Sequence, residues 1–168
     1  MKSKRKPVVV DTNVPIVANQ QDSGHLVCAA ACASALHGIT KSGLLVLDDE
    51  GLIFNEYKGY LSFAGQPGVG DYFFKWLCDN RYKPDRVAQI ILERDPKHPD
   101  EFAVYPRDPE LSTFDHSDRK FVAVALSHRD HPPILNATDD DWWNHKDALS
   151  RNGITVRFVC GEDRFQNQ

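Results

Sequence analysis

Three acids stand where an α/β sheet would place its chemistry. Asp11 ends the apolar run at residues 7–10, Asp118 opens an amphipathic segment, and Asp139 follows the short apolar run at residues 134–137. In open α/β sheets, strand ends and helix starts meet along one edge, so acids distant in sequence converge there. Carboxylates held close repel one another and stay ionised together only with cations between them. Hard oxygen ligands select Mg2+ or Mn2+. One or two such ions orient a water and stabilise charge on attacking and leaving oxygens, which is the equipment of phosphodiester hydrolysis. Each acid also has a local reading. Asp118 would serve as a helix cap, and Asp139, Asp140 and Asp141 would form a solvated helix start favoured by the helix dipole.

The elements that must position these acids follow from patterning. PVVVD at residues 7–11 is a β-branched run suited to a central strand buried on both faces. Residues 25–36 read as a buried helix that Gly38 stops. Residues 44–47 read as a strand, and DDEG at 48–51 as a turn. LIFNEYKGYL at 52–61 reads as a brief strand passing into a helix near Asn55. A loop at 65–70 precedes a helix at 71–78, and residues 87–92 suggest a strand. Residues 96–109 carry four prolines and many charges, the mark of a long surface loop. A helix at 117–128, a strand at 134–137, a helix at 140–151 ended by Asn152-Gly153, and a strand at 154–159 complete the chain. This alternation argues for an α/β fold with a largely parallel sheet of about five strands.

Composition narrows the functional classes. The 168 residues suit one domain at 7–168, preceded by a basic, flexible tail at 1–6. No apolar run reaches the length of a membrane helix, and the N-terminus lacks the apolar stretch of a signal peptide, which favours the cytoplasm and no membrane partner. A net charge of −4 argues against a protein coated in nucleic acid by bulk charge, without excluding a nuclease whose acids bind cations. Cys28, Cys32, Cys78 and Cys160 each sit among apolar residues and read as small buried hydrophobes. Cys28 and Cys32 would share a helix face, but no second ligand pair has suitable spacing for a structural metal site.

With these motifs in order, the chain resembles the PIN-domain family of nucleases over roughly residues 7–160. VVVDTN at 8–13 resembles its opening motif. Glu56, in a Glu-Tyr context, resembles its mid-chain acid. DRKFVAVAL at 118–126 and ILNATDDDWW at 134–143 resemble its third and fourth motifs, although Ala137 stands where a threonine is usual. The resemblance implies a three-layer α/β/α fold and a metal-dependent endoribonuclease using Mg2+ or Mn2+. It implies Asp11, Glu56, Asp118 and Asp139 as ligands, with Asp141 as a further one. A register shift would substitute Asp140 for Asp139. Thr12 and Asn13 would orient Asp11 or a phosphate, and Arg119 and Lys120 would hold the RNA substrate. Lys2, Lys4, Arg5, Lys6, Arg81, Lys83 and Arg86 are further candidates to flank the acids and hold phosphates. Small PIN proteins also resemble the toxin half of toxin–antitoxin pairs, which leaves an antitoxin, another protein partner or a second copy of the chain open as partners, alongside defence or RNA-processing roles.

Other readings compete. GQPGVGD at 65–71 lacks the Lys and Ser or Thr of a phosphate-binding loop. A dehalogenase-type phosphatase needs an acid where Asn13 stands. None of the seven histidines forms a metal-binding pair. Trp76, Trp142 and Trp143 have the faces to stack on bases, with core packing the better reading for Trp142. The alternative from a different class is a non-catalytic RNA-binding or protein-interaction module on the same fold.

Overall fold

In the computed structural model, which describes residues 4–20 and 26–166, the β-branched run ahead of Asp11 forms strand β1 (Lys6–Val10), with Val9 and Val10 wholly buried. A strand covered on both faces needs no polar alternation, and valine suits a pleated surface. β1 is the middle of a five-stranded sheet completed by β2 (Gly43–Asp48), β3 (Val87–Ile90), β4 (Ile134–Asn136) and β5 (Val156–Phe158), in the order β3-β2-β1-β4-β5. Every neighbouring pair is parallel: Val8 lies beside Leu45, Val10 beside Leu135. The fold is α/β with a parallel sheet, as the alternating pattern requires.

Among the described residues eight α-helices connect these strands: α1 (Asn13–Ala18), α2 (Leu26–Ser42), α3 (Leu52–Tyr60), α4 (Val69–Asn80), α5 (Arg119–Ser127), α6 (Asp140–Asn144), α7 (Lys146–Arg151) and α8 (Asp163–Gln166). The chain steps outward from β1 through β2 to β3, then crosses back through α5 to β4. With right-handed crossovers, that reversal puts α5 on the face opposite α1 and α2, consistent with three layers. It also creates a switch point between β1 and β4, directly beyond which Asp11 lies.

Several expectations need correction. Residues 52–61 contain no strand: α3 starts at Leu52, because Gly51 reverses the chain at φ +84° and the Asp48 carboxylate accepts the first free amides, those of Leu52 and Ile53, at 2.7 and 2.9 Å. Gly38 does not stop α2, which runs on to Ser42; an interior glycine costs only about 1 kcal/mol. The expected start of that helix at His25 lies outside the described residues. The helix at 140–151 is two, broken at His145, and α1 and α8 were not anticipated.

The basic segment is not a free tail from residue 4 onward. Lys4 pairs with Asp130, Arg5 donates to the carbonyl of Lys41, and Lys6 already belongs to β1. Lys2 lies outside the described residues. Two of the four cysteines are not simple hydrophobes either: Cys28 and Cys160 form a disulfide between α2 and the turn after β5. Cys32 is a buried free thiol and Cys78 a half-buried one. No helix among the described residues is long and apolar enough to cross a membrane.

Candidate metal centre

Asp11, Asp118 and Asp139 meet at the carboxyl end of the sheet, with one carboxylate oxygen from each within 4.8 Å of the others. Asp11 follows β1 at its switch point and is almost fully buried. Asp118 stands at the start of α5 but makes no side-chain cap hydrogen bond. Asp115 supplies a cap one turn earlier, accepting from the Ser117 amide and hydroxyl at 2.8 Å each. The local reading of Asp118 therefore fails, and its carboxyl is left to face the other acids. Asp139 does both jobs: it caps α6 by accepting from the Asp141 amide at 2.9 Å, and it shares a hydrogen bond with Asp118. Of the two acids that the motif's register leaves open, Asp139 joins the cluster, whereas Asp140 is exposed and is not among its three members.

A polar lattice beneath the acids holds them in place. Asn13 donates from its side chain to Asp11 Oδ1 at 2.8 Å and to Asn136 Oδ1 at 2.7 Å, while its own oxygen accepts from the Ala137 amide. Asn136 in turn donates to the Asp139 carbonyl. Two adjacent strand ends are thus tied by a pair of asparagines, and Asn13 orients Asp11 as expected. The indole of Trp142 donates to Asp11 Oδ2 at 2.7 Å, and the buried Tyr57 hydroxyl donates to the Val10 carbonyl at 2.5 Å. Neither Asn136 nor the polar role of Trp142 was anticipated. The signal was present in the run ILNA, since an asparagine within a fully buried strand must find partners.

Burial sets the electrostatics. It is the largest influence on Asp11, pushing its carboxyl up to about 7; hydrogen bonds from Asn13 and Trp142 oppose it, and the charges of Asp139 and Glu56 add to it. Asp118 is pushed up to about 8 by burial, then by Asp11, Asp139 and Asp115, with Lys120 opposing. Asp139 is also raised, chiefly by burial. Without a cation, the cluster retains protons near neutrality. A divalent cation would replace them with fixed positive charge, so these all-oxygen donors fit a hard metal ion.

The remaining candidates have other partners. Glu56 lies close enough to raise Asp11, but it accepts from the Thr12 hydroxyl at 2.5 Å and ion-pairs with the buried Lys120. Thr12 therefore orients Glu56 rather than Asp11. Lys120 also donates to the Ser117 carbonyl. Arg119 is bound to Glu101 at 2.7 Å and to the carbonyls of Ser112 and Phe114. Both cations are spent on internal contacts, which corrects the expectation that they hold phosphates. Asp141 accepts from the Asp115 amide at 2.7 Å and pairs with His145.

Of the other basic residues, Arg81 lies over the Phe54 ring, and a second group sits at the far end of the sheet. Lys4, Arg5, Lys41 and Arg86 line a cleft of about 670 Å³ at the amino ends of the strands. The five residues of β1 separate them from Asp11 by roughly 17 Å at 3.3–3.4 Å per residue. The glycine loop is structural: a Cβ at Gly70 would stand 2.0 Å from the Pro15 carbonyl oxygen, so glycine lets α4 approach α1. Trp142 is wholly buried, as core packing requires, while the half-buried Trp76 and Trp143 stack on Phe73 and Phe165. Compared with known proteins, the chain matches no family model, no curated protein and no solved structure.

Proposed function

We propose that this chain is a divalent-metal-dependent nuclease that hydrolyses phosphodiester bonds in RNA, on a PIN-like fold. One observation carries the reading: three acids from segments far apart in sequence bring their carboxylate oxygens within 4.8 Å of one another beside a topological switch point. Asp11, Asp118 and Asp139 would hold Mg2+ or Mn2+. Such an ion supplies Lewis acidity toward a phosphoryl oxygen and orients the attacking water. Asn13 and Trp142 fix both oxygens of Asp11, so the ligand most deeply set in the sheet cannot rotate away. Asn136 holds the Asp139 backbone in register with it. Asp139, which is half-buried, would face an approaching phosphate. Glu56, held in an ion pair with Lys120, would be a further ligand.

A second reading, a non-catalytic RNA-binding or protein-interaction module, draws support from that same ion pair, which already offsets one charge of the acidic site. Labelled RNA and DNA incubated with Mg2+ or Mn2+ separate the two. The nuclease reading expects cleavage of RNA, abolished by chelator and by Asp118→Asn, and restored by either metal. RNA retained but uncut under all these conditions would favour the second reading, and chelator-resistant cleavage by the variant would refute the first.

A further inference from the structure

The sulfurs of Cys28, Cys32 and Cys160 lie within 4.8 Å of one another. Cys28 and Cys32 are one turn apart on α2, and Cys160 arrives from the turn after β5, 132 residues beyond Cys28. Sequence spacing alone offered Cys28 and Cys32 no third ligand; the fold supplies it. Beside the Cys28–Cys160 disulfide, the Cys32 Sγ stands 3.8 Å from the Cys160 Sγ. Tetrahedral zinc, with bonds to sulfur of about 2.3 Å, spaces its sulfurs roughly 3.8 Å apart. Cys32 and Cys160 already hold that separation.

A second, independent feature points the same way. The Nε of Arg164, on α8, is buried without a hydrogen-bond partner. Burial pushes the Cys32 thiol up to about 12, and the Arg164 charge opposes that shift. Three thiolates around a divalent cation carry one net negative charge, which a single guanidinium balances. Ligating thiolates are also far better acceptors for an N–H than a thiol or a disulfide.

We infer that Cys28, Cys32 and Cys160 form, in the reduced protein, a three-thiolate site for a soft or borderline divalent cation such as Zn2+ or Cd2+, separate from the carboxylate centre. A thiol or phosphine reductant delivers two electrons to the Cys28–Cys160 bond, and each sulfur takes up one proton. The incoming cation displaces the protons of all three thiols to solvent. The fourth position of a tetrahedral ion is left to water. Disulfide and metal are alternative ways of fastening the chain after β5 to α2, and a reducing compartment favours the metal.

The test uses the full chain reduced with a phosphine and titrated with Cd2+. The thiolate-to-cadmium charge-transfer absorption reports sulfur ligands and is blind to carboxylates. The expected result is one sulfur-bound Cd2+ per chain, displaced by Zn2+ and missing from the oxidised protein. Cys32→Ser should weaken it by more than about 100-fold, beyond the cost of losing a supporting contact. No absorption in the reduced protein, or undiminished binding by Cys32→Ser, would overturn the site and leave only a buried disulfide. Should that variant fail to fold, alkylation of the reduced wild type decides. Cd2+ should shield Cys28, Cys32 and Cys160 but not Cys78, whereas labelling unaffected by Cd2+ counts against the proposal.

Discussion

The indole N–H of Trp142 donates to Oδ2 of Asp11 across 2.7 Å, joining residues 131 apart in the chain. A hydrogen bond to the ionised form of a buried carboxylate favours that form. Trp142→Phe keeps a ring against Phe114 but removes the donor. Asp11 should then hold its proton to higher pH, and Mn2+ affinity measured calorimetrically should fall by about 10–100-fold, the usual cost of losing a group that supports a ligand. Unchanged affinity would mean that the indole only packs.

The metal-free protein should lose stability as the solution is made more alkaline. Asp11 and Asp118 titrate at about 7 and about 8 in the fold, above the 3.8 of an unperturbed carboxyl. Between those limits the folded state keeps protons that the unfolded chain has released, so stability is greatest on the acid side and is lost as pH rises through the folded values. Urea unfolding with chelator should show a decline of about a few kcal/mol between roughly pH 5 and pH 8, and saturating Mg2+ should flatten it. A metal-free stability that climbs over this range would contradict the assignment.

Asp11→Asn separates stability from activity. Asparagine keeps the shape and one carbonyl oxygen while removing a charge that Asp118 and Glu56 oppose. Near neutrality the variant should melt slightly higher than wild type without metal, yet its single-turnover RNA cleavage should fall by orders of magnitude. Wild-type cleavage rates in this variant would remove the carboxylates from the catalytic centre.

Lys120 and Glu56 should prove interdependent. Both are largely shielded from solvent and ion-paired, and removing one partner of a buried pair costs about 3 kcal/mol or more because the other charge is stranded. Lys120→Met should be destabilised by that order, and adding Glu56→Gln should recover most of it. Additive losses in urea unfolding of the single and double variants would show that the pair is not coupled.

The sheet and its acids were legible for related reasons. A run such as residues 7–10 has few homes other than a doubly covered strand, and Asp11, Asp118 and Asp139 each adjoin such a signal. What escaped depended on contacts between distant segments. α3 starts early because Asp48 folds back onto its first amides. Arg119 looked free for phosphate because Glu101, its partner, belongs to the proline-rich loop region, whose path no periodicity describes. Lys4, Arg5 and Lys6 precede Asp11 closely in sequence, yet an extended strand carries them to the opposite end of the molecule. The meeting of Cys28 with Cys160 required the whole sheet to be assembled first.

That bond turns most of the polypeptide into a covalent ring, from residue 28 to residue 160. The fully exposed stretch at 96–100 lies within it. A protease cutting there would separate a piece carrying β1, β2, β3 and Asp11 from one carrying α5, β4, β5, Asp118 and Asp139. In the oxidised protein the two pieces remain a single molecule, tethered at a point remote from the cut, and only a reductant resolves them into two bands on a gel. The disulfide thus keeps the two pieces one molecule after a cut at that loop, and a chain nicked there can keep its three acids together.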